Sequence, residues 1–118
     1  MGGIAVPCIQ ITTNKTITKE KECALKARLG EAIAILPRKS EQWLMCVFRP
    51  DCDMWFQGSQ GDMALVEVDV FGKLEHEPCS ALTAALTEIL EQELGIARDK
   101  TYIKYSATPE WGWNGKNF

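Results

Sequence analysis

Apolar and polar positions alternate along residues 7–13, PCIQITT, the period of a strand with one buried face. The next segment, TKEKECALKARLGEAIAIL, changes period: Leu25, Leu29, Ala32, Ile33 and Leu36 fall on one helical face, and Pro37 ends the run. Residues 43–48, WLMCVF, are apolar on both faces and predict a strand covered on both sides. The order then repeats. In MALVEVDVF, Ala64, Val66, Val68 and Val70 point one way while Leu65, Glu67, Asp69 and Phe71 point the other. A second helix follows, with Pro78 in its first turn, Leu82, Leu86, Ile89 and Leu90 on one face and Gly95 as its C-terminal cap. TYIKYS supplies the last long strand, and WNG, residues 113–115, reads as a turn.

Strand, helix, strand thus occurs twice, and each crossover is long enough for a parallel βαβ unit. Two such units predict an α/β fold: a duplicated βαβ giving a four-stranded mixed sheet with two helices on one face. The other face still carries apolar side chains, with Ile9, Ile11 and Leu65 or their alternates in need of cover, and Gln10, Glu67, Asp69 and Lys104 make it mixed. Burial against other subunits is therefore expected.

At 118 residues, 46% hydrophobic and 25% charged, the chain has the profile of one globular domain. A net charge of −3 and the lack of a basic block interleaved with aromatics argue against nucleic-acid binding. No apolar run approaches the roughly 18 residues of a membrane span, and MGGIAV lacks the pattern of a signal peptide, so a cytoplasmic address is expected. Five cysteines without C-x-x-C spacing and a single histidine, His76, predict neither a zinc site nor a disulfide framework, and no cofactor is expected. Cys23, Cys46 and Cys79 fall in predicted helix or strand and read as small core residues; His76, in KLEHEP, reads as a solvated loop residue.

Pro7, directly before the first alternating strand, has two readings. Proline is tolerated at the first residue of a strand, which makes it a strand starter. At a true N-terminus it would instead carry a basic secondary amine, whereas an internal proline nitrogen is an amide without basicity.

The duplicated plan, taken with PCIQITTN, MWFQGS, VFGKLE, DKTYIKY and the terminal WGWNGKNF, resembles the macrophage migration inhibitory factor family of the tautomerase superfamily. The likeness covers residues 7–118 and leaves residues 1–6 as an N-terminal extension. It implies a homotrimer whose sheets wrap into a barrel, with active sites at the subunit boundaries. It also implies an isomerase: an N-terminal proline moves a proton between the carbon and oxygen of keto–enol substrates such as phenylpyruvate, with D-dopachrome as an artificial substrate. A cytokine-like role through a protein receptor, and secretion without a signal peptide, belong to the same implication.

Carried over by residue, the resemblance gives Pro7 the place of the base and Lys39 that of the lysine meeting the substrate carboxylate. Phe71 stands where the family uses a backbone N–H for the same carboxylate. Tyr102 matches the pocket tyrosine contributed by a neighbouring subunit, Trp43 takes the place of another tyrosine, and Trp111, Trp113 and Phe118 stand at the pocket mouth. The bland readings are a solvated lysine, ordinary strand or core aromatics and interface tryptophans. Three departures bear on function. Lys104 stands where mammalian members commonly have asparagine, adding positive charge that favours an acidic substrate. MALV, residues 63–66, replaces the thiol-redox C-x-x-C. Finally, with residues 1–6 attached, Pro7 is acylated by Val6 and cannot accept a proton. Two readings follow: a tautomerase of arylpyruvates or similar 2-keto acids when the chain begins at Pro7, or a catalytically silent cytokine-like or small-acid-binding protein when it does not.

Overall fold

The computed structural model describes residues 6–117. Its elements are β1 (Pro7–Thr13), α1 (Lys19–Ala32), β2 (Met45–Arg49), β3 (Ala64–Phe71), α2 (His76–Leu94) and β4 (Thr101–Thr108), followed by a small hairpin of β5 (Gly112–Trp113) and β6 (Lys116–Asn117). The main sheet has the order β2-β1-β3-β4. β1 runs parallel to β2 and β3 parallel to β4, while β1 and β3 are antiparallel in the middle. This is the predicted four-stranded mixed sheet built from two βαβ units.

The alternation in β1 and β3 decides which face meets the helices. Ile9, Ile11, Val66, Val68 and Val70 are buried with Leu25, Leu29, Leu82, Leu86 and Leu90 in one core between sheet and helices. Full burial of each such side chain is worth roughly 1.5–3 kcal/mol. The opposite, open face carries the alternate positions, Cys8, Gln10, Thr12, Leu65, Glu67 and Asp69. Ile9 and Ile11 therefore do not belong to the face in need of cover, because their register partners Val68 and Val66 point to the helices. Among the described residues, no helix is long and apolar enough to cross a membrane.

Four local expectations are corrected. β2 begins at Met45, because Glu41–Trp43 form a 3₁₀ turn that takes Trp43 out of the strand. β2 is also a sheet edge, and Met45 is 64% exposed in the single chain, so the strand is not covered on both sides. Cys23 is exposed, since it lies two positions before Leu25, about 200° round the helix. His76 is exposed as expected but is the first residue of α2 and not a loop residue. Cys46 and Cys79 do pack against the core as partly buried residues. The turn read at WNG closes the β5–β6 hairpin, with Asn114 at φ 54° and Gly115 at φ 90°, the positive pair that a two-residue hairpin turn requires.

Candidate active site

Pro7 is buried and opens β1 opposite Val70, the penultimate residue of β3. The strand pairing continues one step further: the Phe71 N–H donates to the Val6 carbonyl at 3.1 Å. That carbonyl belongs to the amide whose nitrogen is Pro7's, so an oxygen bound to the Phe71 N–H lies next to the Pro7 nitrogen. Gly72, at φ 96°, then turns the chain away, and its N–H donates to Thr108.

Lys39 reaches the same spot from the other side. The 3₁₀ turn Ile33–Ile35 and Pro37 stop the first helix. Arg38 sits at φ 63°, a left-handed conformation that costs a non-glycine residue roughly 1–2 kcal/mol, and Lys39 closes a turn by donating its N–H to Leu36. Its Nζ donates to the Phe71 carbonyl at 3.3 Å. Burial, and then the neighbouring Arg38 charge, hold the Lys39 ammonium below the usual lysine range. Pro7, Phe71 and Lys39 are thus brought together through one residue's backbone.

Two cavities flank the Val6–Phe71 rung. One, of about 700 Å³, is lined by Lys39 and Phe71 together with Arg38, Lys73 and Glu75. Its three cations, Arg38, Lys39 and Lys73, outnumber the one carboxylate, Glu75, and form no ion pair among the described residues. This cavity suits an anion. The other, of about 670 Å³, is lined by Pro7 and Val6 with Trp43, Trp111 and Trp113 as its aromatic members. Trp43 and Trp113 meet edge to face with centroids 5.2 Å apart. The Trp111 Nε1–H is buried without an acceptor among the described residues, an arrangement that a ligand oxygen would relieve. Cys8 also lines this cavity, but burial and the Asp69 charge push its thiol up, so it is no ready thiolate.

Tyr102 and Lys104 are not brought to this site within one chain. Pro7 pairs with Val70 and Val70 with Ala107, which places Tyr102 five residues along β4, about 17 Å away. Tyr102 is 63% exposed and meets Phe56 in a tilted arrangement with ring centroids 4.6 Å apart, and Lys104 lies 3.7 Å from Glu67. Phe118 and residues 1–5 lie outside the described residues. Sequence reasoning missed Asp69 as a cavity residue and treated it only as a polar member of the mixed face.

The family model of macrophage migration inhibitory factor (MIF) matches residues 6–118, and the chain belongs to that family. Solved structures agree on the fold. The chain is 27% identical to Leishmania major MIF2, with a TM-score of 0.91 over 97% of this chain and 98% of that one. A homologue from Prochlorococcus marinus is also 27% identical, with a TM-score of 0.79 over 94% and 98%. The Toxoplasma gondii protein shares the fold at 22% identity and a TM-score of 0.87, over 94% and 99%. A search of curated proteins finds no significant match.

Proposed function

We propose that this chain is a keto–enol tautomerase of arylpyruvates or similar 2-keto acids, with Pro7 as its base once Pro7 is N-terminal. One observation carries the reading: the Val6 carbonyl, beside the Pro7 nitrogen, is bound by the Phe71 N–H, and Lys39 Nζ lies on the same residue's carbonyl. With Val6 gone, a substrate carboxylate oxygen takes the place of its carbonyl oxygen against the Phe71 N–H and the Lys39 charge. The carbon next to the keto group then faces the secondary amine. The Pro7 nitrogen takes a proton from that carbon, leaving an enolate, and returns a proton to the oxygen. An amine in a buried site beside Lys39 and Arg38 has its pKa lowered toward neutrality, as a base working there requires.

The active form is a homotrimer. Support comes from the open sheet face and the exposed edge strand β2, and from Tyr102 and Lys104, which lie on that open face away from Pro7 and would meet such a site only across a subunit boundary. Trp43, Trp111 and Trp113 line the mouth. A second reading holds for the chain with Val6 attached, because its Pro7 nitrogen is an amide and its Phe71 N–H is engaged: that form is a catalytically silent binder of small acids. Phenylpyruvate tautomerisation by the full chain and by a chain beginning at Pro7 tests both. Turnover by the shortened chain alone is expected, whereas equal turnover would show that Pro7 is not the base. Sedimentation at micromolar concentration should give three times 13.2 kDa, and a monomer would sink the assembly.

A further inference from the structure

The cavity on the Lys39 side of the Val6–Phe71 rung holds more charge than one substrate carboxylate uses. That carboxylate is met at the rung itself, with the rest of the acid toward Pro7. Beyond the rung remain Arg38, on the loop after α1, and Lys73, on the loop between β3 and α2, both exposed and both lining the cavity of about 700 Å³. With Lys39 they leave two positive charges in excess of Glu75, and none of the three forms an ion pair among the described residues. The floor is apolar. Leu36 is buried in the core between sheet and helices, Leu74 packs against that core, and Pro37 and Pro78 complete the lining. The cavity therefore lies on the helix side of the sheet, away from the open face that the proposed assembly covers.

Two costs meet at Arg38. Its φ of 63° is one that glycine adopts without penalty, yet an arginine stands there. Its charge also lies near enough to Lys39 to help hold the lysine pKa down, which means that two like charges are kept together. Backbone strain of this kind clusters at ligand clamps, where the side chain it positions is used. We propose that this cavity is a second ligand site, which binds a phosphate dianion carried on a small apolar body, with Arg38 and Lys73 as its clamp beside Lys39. A dianion matches the two excess charges, where a single carboxylate would leave one uncompensated. The planar guanidinium fork suits phosphate oxygens, and the lysines add point charges. Leu36, Pro37, Leu74 and Pro78 give the ester's apolar part a surface to cover, which inorganic phosphate would leave bare. The assignment requires neither Pro7 as base nor any residue of the open face.

The test titrates the full chain by NMR with three probes: phenyl phosphate, inorganic phosphate and benzoate. At about pH 7.5 the phosphate of the ester is largely the dianion. Phenyl phosphate should bind most tightly, about tenfold better than the monoanion benzoate. Arg38→Gly and Lys73→Ala should each weaken it roughly tenfold or more, the usual worth of a charge-assisted hydrogen bond. Arg38→Gly keeps the left-handed turn and relieves its strain, so it should melt no lower than the unmodified chain while losing the ligand. Lys104→Ala, on the open face, should leave phosphate affinity unchanged. Inorganic phosphate or benzoate binding as tightly as phenyl phosphate, or affinity that survives both Arg38→Gly and Lys73→Ala, would overturn the assignment. So would a loss in Lys104→Ala as large as in Arg38→Gly, because it would place the ligand in the pocket across the subunit boundary. None of these measurements involves turnover, so they fail or succeed separately from the tautomerase assay.

Discussion

The two βαβ halves share a plan and a core, but the corresponding ends of their first strands have different fates. β1 begins at Pro7, where the pairing to β3 runs out into two cavities beside Lys39 and the tryptophans. β3 begins at Ala64, whose partner Thr13 is fully buried and donates its hydroxyl to the Met63 carbonyl at 2.7 Å. There Asn14 completes the closure: its Nδ2 donates to the Gly61 carbonyl and its Oδ1 accepts from the Met63 N–H. One end is sealed by side chain-to-backbone hydrogen bonds, and the other is left open with a cationic wall. Duplication accounts for the fold; the loop after α1, which the second half does not reproduce, and the β5–β6 hairpin after β4, which the first half does not, account for the site.

The largest effect should come from the open end. In a chain beginning at Pro7, Pro7→Gly should lower phenylpyruvate tautomerisation by about 10²–10⁴-fold, the usual worth of a positioned general base. The sealed end has no such group, and a loss of activity on Thr13→Val larger than its loss of stability would break the contrast between the ends.

In the shared core the two halves should respond alike. Leu29 and Leu86, one on each helix, are 0% and 1% exposed in the same cluster. Leu29→Ala and Leu86→Ala should each cost about 2–5 kcal/mol in denaturant unfolding. Loss in only one of them would mean that the halves do not share a core.

Lys39 should show an intermediate effect confined to ligand binding. A hydrogen bond to a charged group contributes about 1.5–3 kcal/mol, so Lys39→Ala in the shortened chain should weaken an arylpyruvate roughly ten- to a hundredfold and leave the melting temperature nearly unchanged. Because burial and Arg38 hold the Lys39 pKa below the lysine value of 10.5, its charge is lost at lower pH than for a solvated lysine. Affinity should therefore fall as pH rises through that lowered pKa. Arg38→Ala, which removes one of the two causes, should move the fall to higher pH; an unmoved profile would return Lys39 to a solvated loop residue.

Legibility followed the same division. β1, β3 and α2 could be read because their alternation or helical stripe matches what they bury, and the Asn-Gly turn because only certain residues accept its positive φ angles. The start of β2 could not, since WLMCVF has no alternation to mark where a 3₁₀ turn gives way to a strand. Lys39 and Phe71 came from the family likeness, and no periodicity would have singled them out, whereas Pro7 stood out beforehand as a proline placed directly before an alternating strand. Asp69 left only a weak trace, a carboxylate on a strand face otherwise needing cover. The occupation of the Phe71 N–H by Val6 left none, because it depends on a backbone pairing one residue beyond the strand.

The smallest effects should lie at the helix ends, where the halves use opposite devices. α1 is capped at its start: Thr18 accepts from the Lys21 N–H at 3.1 Å, with Glu20 and Glu22 in the first turn favourably placed against the helix dipole. α2 has no side-chain cap at Glu75 but ends on Gly95 at φ 69°, whose N–H returns to Glu91 at 3.0 Å. Thr18→Ala should thus cost about 1 kcal/mol by leaving a backbone donor to water alone. Gly95→Ala should cost a similar amount for a different reason: its Cβ would meet nothing closer than the flexible Lys15 Nζ at 3.8 Å, so the penalty is the left-handed backbone and not a clash. Asparagine tolerates that conformation better than alanine, and Gly95→Asn should recover part of the loss. Thermal melts resolve differences of this size as shifts of a few degrees. Alanine and asparagine equally destabilising at position 95 would mean that crowding, and not backbone conformation, selects the glycine that ends the second helix.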